Sequence, residues 1–125
     1  CKETPLIKRW KRDLEDGREI NPISDAYFSP ISSKYAFHAI ASVGLNAQPG
    51  IFNVSGDCDL AYSDFARMLA MEICGEDRLV NPVTRAKAKV KIFLFERYGS
   101  LEMIRLTKDF NIKAQSASQV LTDII

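Results

Sequence analysis

A short apolar run between two glycines is the feature that most constrains how this chain can fold. Residues 50–56 read Gly-Ile-Phe-Asn-Val-Ser-Gly, and Ile51, Phe52 and Val54 favour a β-strand. Amphipathic helices are predicted on both sides of the run. Because no other equally apolar strand is predicted beside it, the run cannot bury both of its faces alone. We therefore predict a buried strand that leans on a sheet or a larger body, part of which need not belong to this chain.

Length and charge exclude several classes of protein. The 125 residues allow one small domain, spanning 1–125, with a modest core. A formal net charge of +1 provides no broad field for nucleic acid or an anionic membrane, so neither partner is expected. No apolar run approaches the roughly 20 residues that cross a bilayer. We expect a soluble cytoplasmic protein and, since the chain begins at Cys1, a piece of a longer one.

Few residues suggest chemistry of their own. Three widely spaced cysteines and a single histidine, His38, predict neither a disulfide framework nor a zinc site. His38 has no nucleophile motif to serve, and we interpret it as an ordinary helix-surface histidine or one whose hydrogen bonds are satisfied within the fold. Asp57 and Asp59 suit a cation or an acid-base pair, but solvated loop charges are the favoured interpretation. We assign no catalytic residue and no metal site.

Periodicity and capping residues predict about five helices and two to four short strands, a mixed α/β pattern. Two short segments, 18–23 and 78–83, look β-like but contain a proline that would confine them to an edge. The helices are predicted to begin at Thr4-Pro5, Ser33, Ser63, Ser100, and Ser116 or Ser118, with Gly17, Gly44 and Gly75 near the ends of the first three.

A basic stretch in the second half is harder to interpret. Between residues 84 and 99, cations alternate with apolar side chains, so a strand or an ordered loop both fit. Such a loop could receive a phosphate or diphosphate, because arginine makes bidentate contacts with these groups. The alternative is a solvent-facing edge strand whose lysines prevent association between sheets. The sequence contains no glycine-rich phosphate loop of the dinucleotide-binding or Walker type.

The order of several motifs resembles a known family. Leu-Glu-Asp-Gly-Arg-Glu-Ile at 14–20 precedes Asp-x-Tyr-x-Ser-Pro-Ile at 25–31, followed by a helix and the Gly-Ile-Phe-Asn-Val-Ser-Gly run. Tyr-Ser-Asp-Phe-Ala at 62–66, Ser-Leu-Glu-Met at 100–103 and Asp-Phe-Asn-Ile at 109–112 complete the series. This order is similar to the C-terminal part of extended short-chain dehydrogenase/reductases, in particular dTDP-4-dehydrorhamnose reductase and its relatives. The likeness covers nearly all of the chain.

The resemblance implies a fold class and a division of labour. The chain would be the helical, short-strand substrate-binding region of an α/β Rossmann-fold reductase or epimerase, without the Rossmann domain itself. That N-terminal Rossmann domain would be its partner and would hold NAD or NADP and the catalytic Tyr-x-x-x-Lys pair. This sequence contains neither the pair nor the cofactor loop, since Ala39 stands four residues after Tyr35. The ligand implied is a nucleoside diphosphate sugar, and a homodimer is left open.

The resemblance also suggests site residues. Many relatives have an arginine where this chain has Phe28, and a Val-x-Asp sequence after the proline, where this chain has Ser-Ser-Lys-Tyr. Arg97 matches a family arginine, although the following proline is replaced by tyrosine, and it is the best candidate for contact with the sugar nucleotide. Tyr27 and Phe28 would flank the sugar or base, with core aromatics as the alternative.

Two other interpretations stay open. The altered Phe28 and Ser33 positions are compatible with a reductase-like module that has lost catalysis and serves as a regulatory or scaffolding subunit. An independent small α/β interaction domain is the third interpretation.

Overall fold

The computed structural model describes residues 5–46, 49–89 and 99–125. Within these ranges the chain forms two compact units. The first comprises Cys1–Tyr27 and Leu60–Glu96, and the second Phe28–Asp59 and Arg97–Ile125. Regular structure in chain order is α1 (Leu6–Glu15), β1 (Tyr27–Phe28), α2 (Ser33–Leu45), β2 (Leu60–Ala61), α3 (Tyr62–Cys74), α4 (Arg85–Ala88), α5 (Ile104–Phe110) and α6 (Ala117–Ile124). β1 and β2 pair in a two-stranded sheet.

Two packed helices form the centre of the first unit. α1 buries Trp10 and Leu14, which lie one helical turn apart, and contacts α3. Trp10 meets Tyr62 edge to face, with ring centroids 6.4 Å apart. The inner face of α3 is fully buried through Phe65, Ala66, Leu69 and Ala70.

The two proline-containing segments lie side by side in the first unit. Parallel bridges join Ile20 to Val80 and Ile23 to Val83. The Ile20 N–H donates to the Leu79 carbonyl at 2.9 Å. Proline interrupts each segment, so the pairing is limited to isolated bridges rather than full strands. The β-like interpretation of 18–23 and 78–83 is therefore correct for their pairing but not for their length.

The second unit has its own core. Ala39 of α2, Met103, Leu106 of α5 and Ile112 form a buried cluster. Partly buried side chains close around it, namely Tyr35, Val43, Phe52, Val54, Phe110 and Ala114. Phe52 and Phe110 meet edge to face at 5.9 Å. α6 buries Ala117, Val120 and Leu121 along one side.

The predicted central strand is wrong as regular secondary structure. In the described part of the chain, residues 51–54 belong to no strand, and Gly56 makes a single parallel bridge to Gln115. Arg105 braces this segment: its guanidinium lies 4.0 Å above the Phe52 ring and donates to the Pro49 carbonyl at 3.1 Å.

Most of the predicted helices are present. α3 ends at Gly75, whose φ of 72° requires a residue tolerant of the left-handed region. Ser116 caps α6 in a reciprocal capping box with Gln119. Ser32 rather than Ser33 caps α2, and the N-cap position of α5 is Met103, three residues after the predicted cap Ser100. Thr4 lies outside the described residues. No helix described here has the length and apolar character needed to cross a membrane.

Candidate functional site

The segment that carries Tyr27 and Phe28 is fixed by its neighbours in sequence. In the first unit, the Asp25 carboxylate accepts a hydrogen bond from the backbone N–H of Arg85 at 2.8 Å. The same carboxylate forms an ion pair with the Arg85 side chain, whose Nε lies 3.4 Å away. The bond from the Arg85 backbone lowers the pKa of Asp25. The Tyr62 N–H donates to the Ala26 carbonyl at 3.0 Å. Tyr27 and Phe28 then form β1, and both are half-buried.

In the second unit, a contact between two serines connects the segment after β1 to the 50–56 run. The Ser29 and Ser55 hydroxyls lie 3.2 Å apart. Buried Ser55 also accepts from the Leu101 N–H at 3.0 Å. Gly56 has no room for a side chain, because a Cβ atom there would lie 2.6 Å from the Pro30 carbonyl oxygen and 2.8 Å from the Ser29 hydroxyl.

Asp59 anchors the chain just beyond Arg97. One carboxylate oxygen accepts from the backbone N–H groups of Gly99 and Ser100, each at 2.8 Å, and the other accepts from the Ser100 hydroxyl at 2.9 Å. Partial desolvation opposes ionisation, but these three bonds outweigh it and lower the pKa of Asp59. Asp57 is exposed. The interpretation as a solvated loop charge therefore suits Asp57, whereas Asp59 is a partly exposed loop charge that is also held by three hydrogen bonds.

A cleft of about 530 Å³ opens in the second unit, between α2, residues 111–115 and α6. Gln115 and Asp123, which line the cleft, belong to a hydrogen-bond network in which the Gln115 amide contacts buried Ser32 through both its oxygen and its nitrogen. The Ser32 hydroxyl donates to Asp123 at 2.6 Å, and Gln115 donates to the same carboxylate oxygen at 2.9 Å. The Ser32 bond first, then those from Gln115 and Lys34, lower the pKa of Asp123. Since these groups satisfy one another, the network serves to join α2 to α6.

Among the side chains of α2 that line the cleft are a histidine and a tyrosine. His38 lies exposed on α2 at its rim, as predicted for a surface histidine. The Tyr35 hydroxyl donates to the Lys113 carbonyl at 2.7 Å, and partial burial raises its pKa, so it is held protonated. Among the residues that the structure describes, no group of three His, Cys, Asp or Glu side chains could hold a metal ion.

Two of the three predicted substrate contacts are adjacent in β1, and neither lines this cleft. Arg97, the third, lies outside the described residues. The sequence motifs pointed to this region without revealing what their polar members do. Asp25 and Ser55 each accept a hydrogen bond from a distant backbone N–H group, and Ser29 contacts the Ser55 hydroxyl.

The chain resembles known proteins in structure but not detectably in sequence. No protein-family model matches the chain, and no curated protein matches it. Solved structures do match, and they define the class: over the described residues the chain has the fold of part of a Rossmann-fold reductase. The predicted fold class and resemblance are thereby confirmed.

The matching solved structures are those of dTDP-4-dehydrorhamnose reductases. The enzyme from Bacillus anthracis str. Ames, solved in complex with NADP, matches with a TM-score of 0.80 and 16% identity over 98% of this chain and 43% of that chain. The enzyme from Clostridium acetobutylicum ATCC 824 matches with a TM-score of 0.74 and 16% identity over 98% of this chain and 44% of that chain. The chain thus spans less than half the length of these relatives.

Proposed function

We propose that this chain is the substrate-binding portion of an NAD(P)-dependent sugar-nucleotide reductase or epimerase. One observation carries the proposal: 98% of the chain superposes on a dTDP-4-dehydrorhamnose reductase with a TM-score of 0.80. The ligand would be a nucleoside diphosphate sugar, and the partner would be the NAD(P)-binding half of the same polypeptide. The cytoplasmic location stays a prediction.

The residues of this chain do not fit the cofactor. The sequence has no Gly-x-x-Gly-x-x-Gly loop to approach a pyrophosphate and no Tyr-x-x-x-Lys pair. NADP, as found with the Bacillus anthracis enzyme, would therefore be held by the other half, which would also carry hydride transfer at the keto-sugar carbon. This portion would orient the substrate, and alone it would not turn substrate over.

Arg97, Tyr27 and Phe28 are the proposed contacts. A guanidinium presents paired N–H donors that match the oxygens of a diphosphate. Aromatic rings offer flat apolar faces to a sugar or base. Two anchors favour these positions: Asp59 holds the backbone two and three residues after Arg97, and the Ser29–Ser55 contact follows directly after Phe28.

Calorimetry tests this proposal on the complete polypeptide that contains these residues, titrated with dTDP-rhamnose. A charge-assisted hydrogen bond contributes about 1.5–3 kcal/mol, so Arg97→Ala should weaken binding at least about tenfold. Arg78→Ala is the matched control, because Arg78 is exposed and pairs with Glu76 alone among the described residues. Tyr27→Ala should also weaken binding.

Two results would contradict the proposal. If dTDP-rhamnose and other nucleoside diphosphate sugars do not bind, or if the Arg97→Ala and Tyr27→Ala variants bind as tightly as the parent, the chain is not a substrate-binding portion. The regulatory or scaffolding interpretation, motivated by Phe28 and Ser33, would then be favoured. Reduction of a keto-sugar by the 125-residue chain with NADPH would overturn the division of labour.

A further inference from the structure

The cleft in the second unit carries more positive than negative charge. Its lining includes Lys34 and His38 of α2, Lys113, and Asp123 of α6. Two lysines against one aspartate leave a formal charge of +1, to which a protonated histidine adds another. The walls of a cleft exclude part of the solvent and so focus the field of the charges that line them. The cleft therefore favours an anion.

The carboxylate in the lining is already engaged on both of its oxygens. One Asp123 oxygen accepts from Ser32 at 2.6 Å and from Gln115 at 2.9 Å. The other lies 3.4 Å from the Lys34 ammonium. The Asp123 side chain is only 15% exposed. Because these donors offset its charge, Asp123 repels a bound anion less than a free carboxylate would.

Several hydrogen-bond donors in the lining have no acceptor. Among the residues that the structure describes, the Lys113 ammonium, the His38 ring and the Asn111 amide form no hydrogen bond or ion pair. The Gln119 oxygen accepts from the Ser116 N–H, which leaves the Gln119 side-chain nitrogen with its two protons to donate. A ligand that pairs with these groups must bring several acceptor oxygens together with negative charge.

The walls of the cleft are held in place by contacts that leave these donors free. The Tyr35 hydroxyl donates to the Lys113 backbone carbonyl at 2.7 Å, which connects residues 111–115 to α2. The network of Ser32, Gln115 and Asp123 joins α2 to α6. Neither set of contacts uses the Lys113 ammonium, so a ligand binds there without breaking them, and little conformational ordering opposes binding.

We infer that this cleft binds the phosphate group of a small phosphorylated organic molecule. A phosphate monoester carries a charge of about −1.5 to −2 at pH 7 and three strong acceptor oxygens, whereas a carboxylate has two oxygens and a single charge. The volume of about 530 Å³ is typical of small-molecule sites, which span roughly 300–1,000 Å³. The organic part of the ligand therefore has room beside Tyr35, Ile112 and Ala114.

The inference goes beyond the proposed function. Tyr27 and Phe28, two of the proposed contacts of the sugar nucleotide, do not line this cleft. Binding of a phosphorylated molecule here and binding of a nucleoside diphosphate sugar are thus separate properties of the chain.

Titration of the complete polypeptide with phenyl phosphate tests the inference, measured by calorimetry and by the amide chemical shifts of residues 111–115. An Arg97→Ala background removes the proposed diphosphate contact, so that binding there does not contribute. Phenyl phosphate should saturate one site and shift these amides. Phenol, which lacks the phosphate, should not bind, and phthalate, a dianion without a phosphate, should bind at least about tenfold more weakly.

Two substitutions in the same background locate the site. Lys113→Gln removes a cation without touching the backbone carbonyl that Tyr35 holds, and it should weaken phenyl phosphate binding at least about tenfold. Lys108→Gln is the matched control and should leave the affinity unchanged. Lys108 is also an exposed lysine of the second unit, lies outside the cleft, and forms no ion pair among the described residues.

Three results would overturn the inference. These are a titration with no saturable binding of phenyl phosphate, equal affinities of the Lys113→Gln and Lys108→Gln variants, and phthalate binding as tight as that of phenyl phosphate, which would assign the cleft to dianions in general. Circular dichroism identical to that of the parent shows that a weakened variant is still folded. Failure to bind dTDP-rhamnose would refute the proposed function and leave phenyl phosphate binding at the cleft unaffected.

Discussion

Replacing Gly56 with alanine should destabilise the chain through a steric conflict. The φ of Gly56 lies outside the left-handed region, so alanine can adopt the backbone conformation without strain. The conflict comes from the new Cβ atom, 2.6 Å from the Pro30 carbonyl oxygen and 2.8 Å from the Ser29 hydroxyl. Ordinary contact begins near 3.4 Å, so the two oxygens must withdraw by 3.4 − 2.6 = 0.8 Å and 3.4 − 2.8 = 0.6 Å.

The free-energy cost of this substitution depends on how far the Ser29 hydroxyl and the Pro30 carbonyl can move. The Ser29 hydroxyl can rotate away, at the cost of its 3.2 Å contact with Ser55, worth about 1 kcal/mol. The Pro30 carbonyl belongs to a buried residue with a fixed φ and cannot yield without moving the loop. Overpacking of this kind costs about 1–3 kcal/mol. We expect Gly56→Ala to lower the free energy of unfolding by about 2–3 kcal/mol.

Urea unfolding followed by circular dichroism measures the effect. With m near 2 kcal/mol/M, the midpoint should fall by about 1 M. Gly44→Ala is the control: it lies in α2, has no atom within 4 Å of its added Cβ, and should stabilise the helix by about 0.5–1 kcal/mol. If Gly56→Ala unfolds at the parent midpoint while Gly44→Ala responds as expected, the close approach at Pro30 is not the constraint argued above.

Three further perturbations test other parts of the second unit by the same unfolding measurement. Leu106→Ala, which empties a fully buried core position, should cost about 2–5 kcal/mol, whereas Leu101→Ala at a 53% exposed position should stay within about 0.5 kcal/mol; equal effects would contradict the assigned core. Ser116→Ala removes the cap of α6 and should cost about 1 kcal/mol, and no loss would mean that the capping box is not formed. Folding lowers the pKa of Asp123 below 3.8, so its contribution to stability is complete above that pH and is lost as the pH falls through the lower folded value. Asp123→Asn should therefore flatten the acid side of the stability curve, and an unchanged slope would refute this role.

Local features of the fold could be predicted from the sequence. The Ser116–Gln119 capping box and the helix end at Gly75 involve residues within one turn of each other, so their interactions need nothing from the rest of the chain. The apolar spacing of α1 and α3 likewise predicted which faces are buried, since helical geometry alone places Trp10 and Leu14 together.

Predictions failed where a distant partner competes. Ser100 has the side chain of a helix cap, but its hydroxyl donates to Asp59, 41 residues earlier, and α5 begins at Ile104 instead. Residues 51–54 have a strand composition, yet no described backbone pairs with them. In each case the residue types favour the predicted local structure, but local propensity carries no information about which distant group is available as a hydrogen-bond partner.

The candidate site divides in the same way. The order of motifs pointed to a sugar-nucleotide reductase fold and to Tyr27, Phe28 and Arg97, because residue type and spacing are properties of the sequence. Only the tertiary structure revealed that Asp25 holds Arg85 and that Ser29 meets Ser55. Those contacts join residues 60 and 26 positions apart, and their formation depends on long-range packing that no window of sequence contains. The sequence alone thus determined most of the helices and the class of fold, while the packed chain decided which polar contacts hold the segments beside the candidate residues.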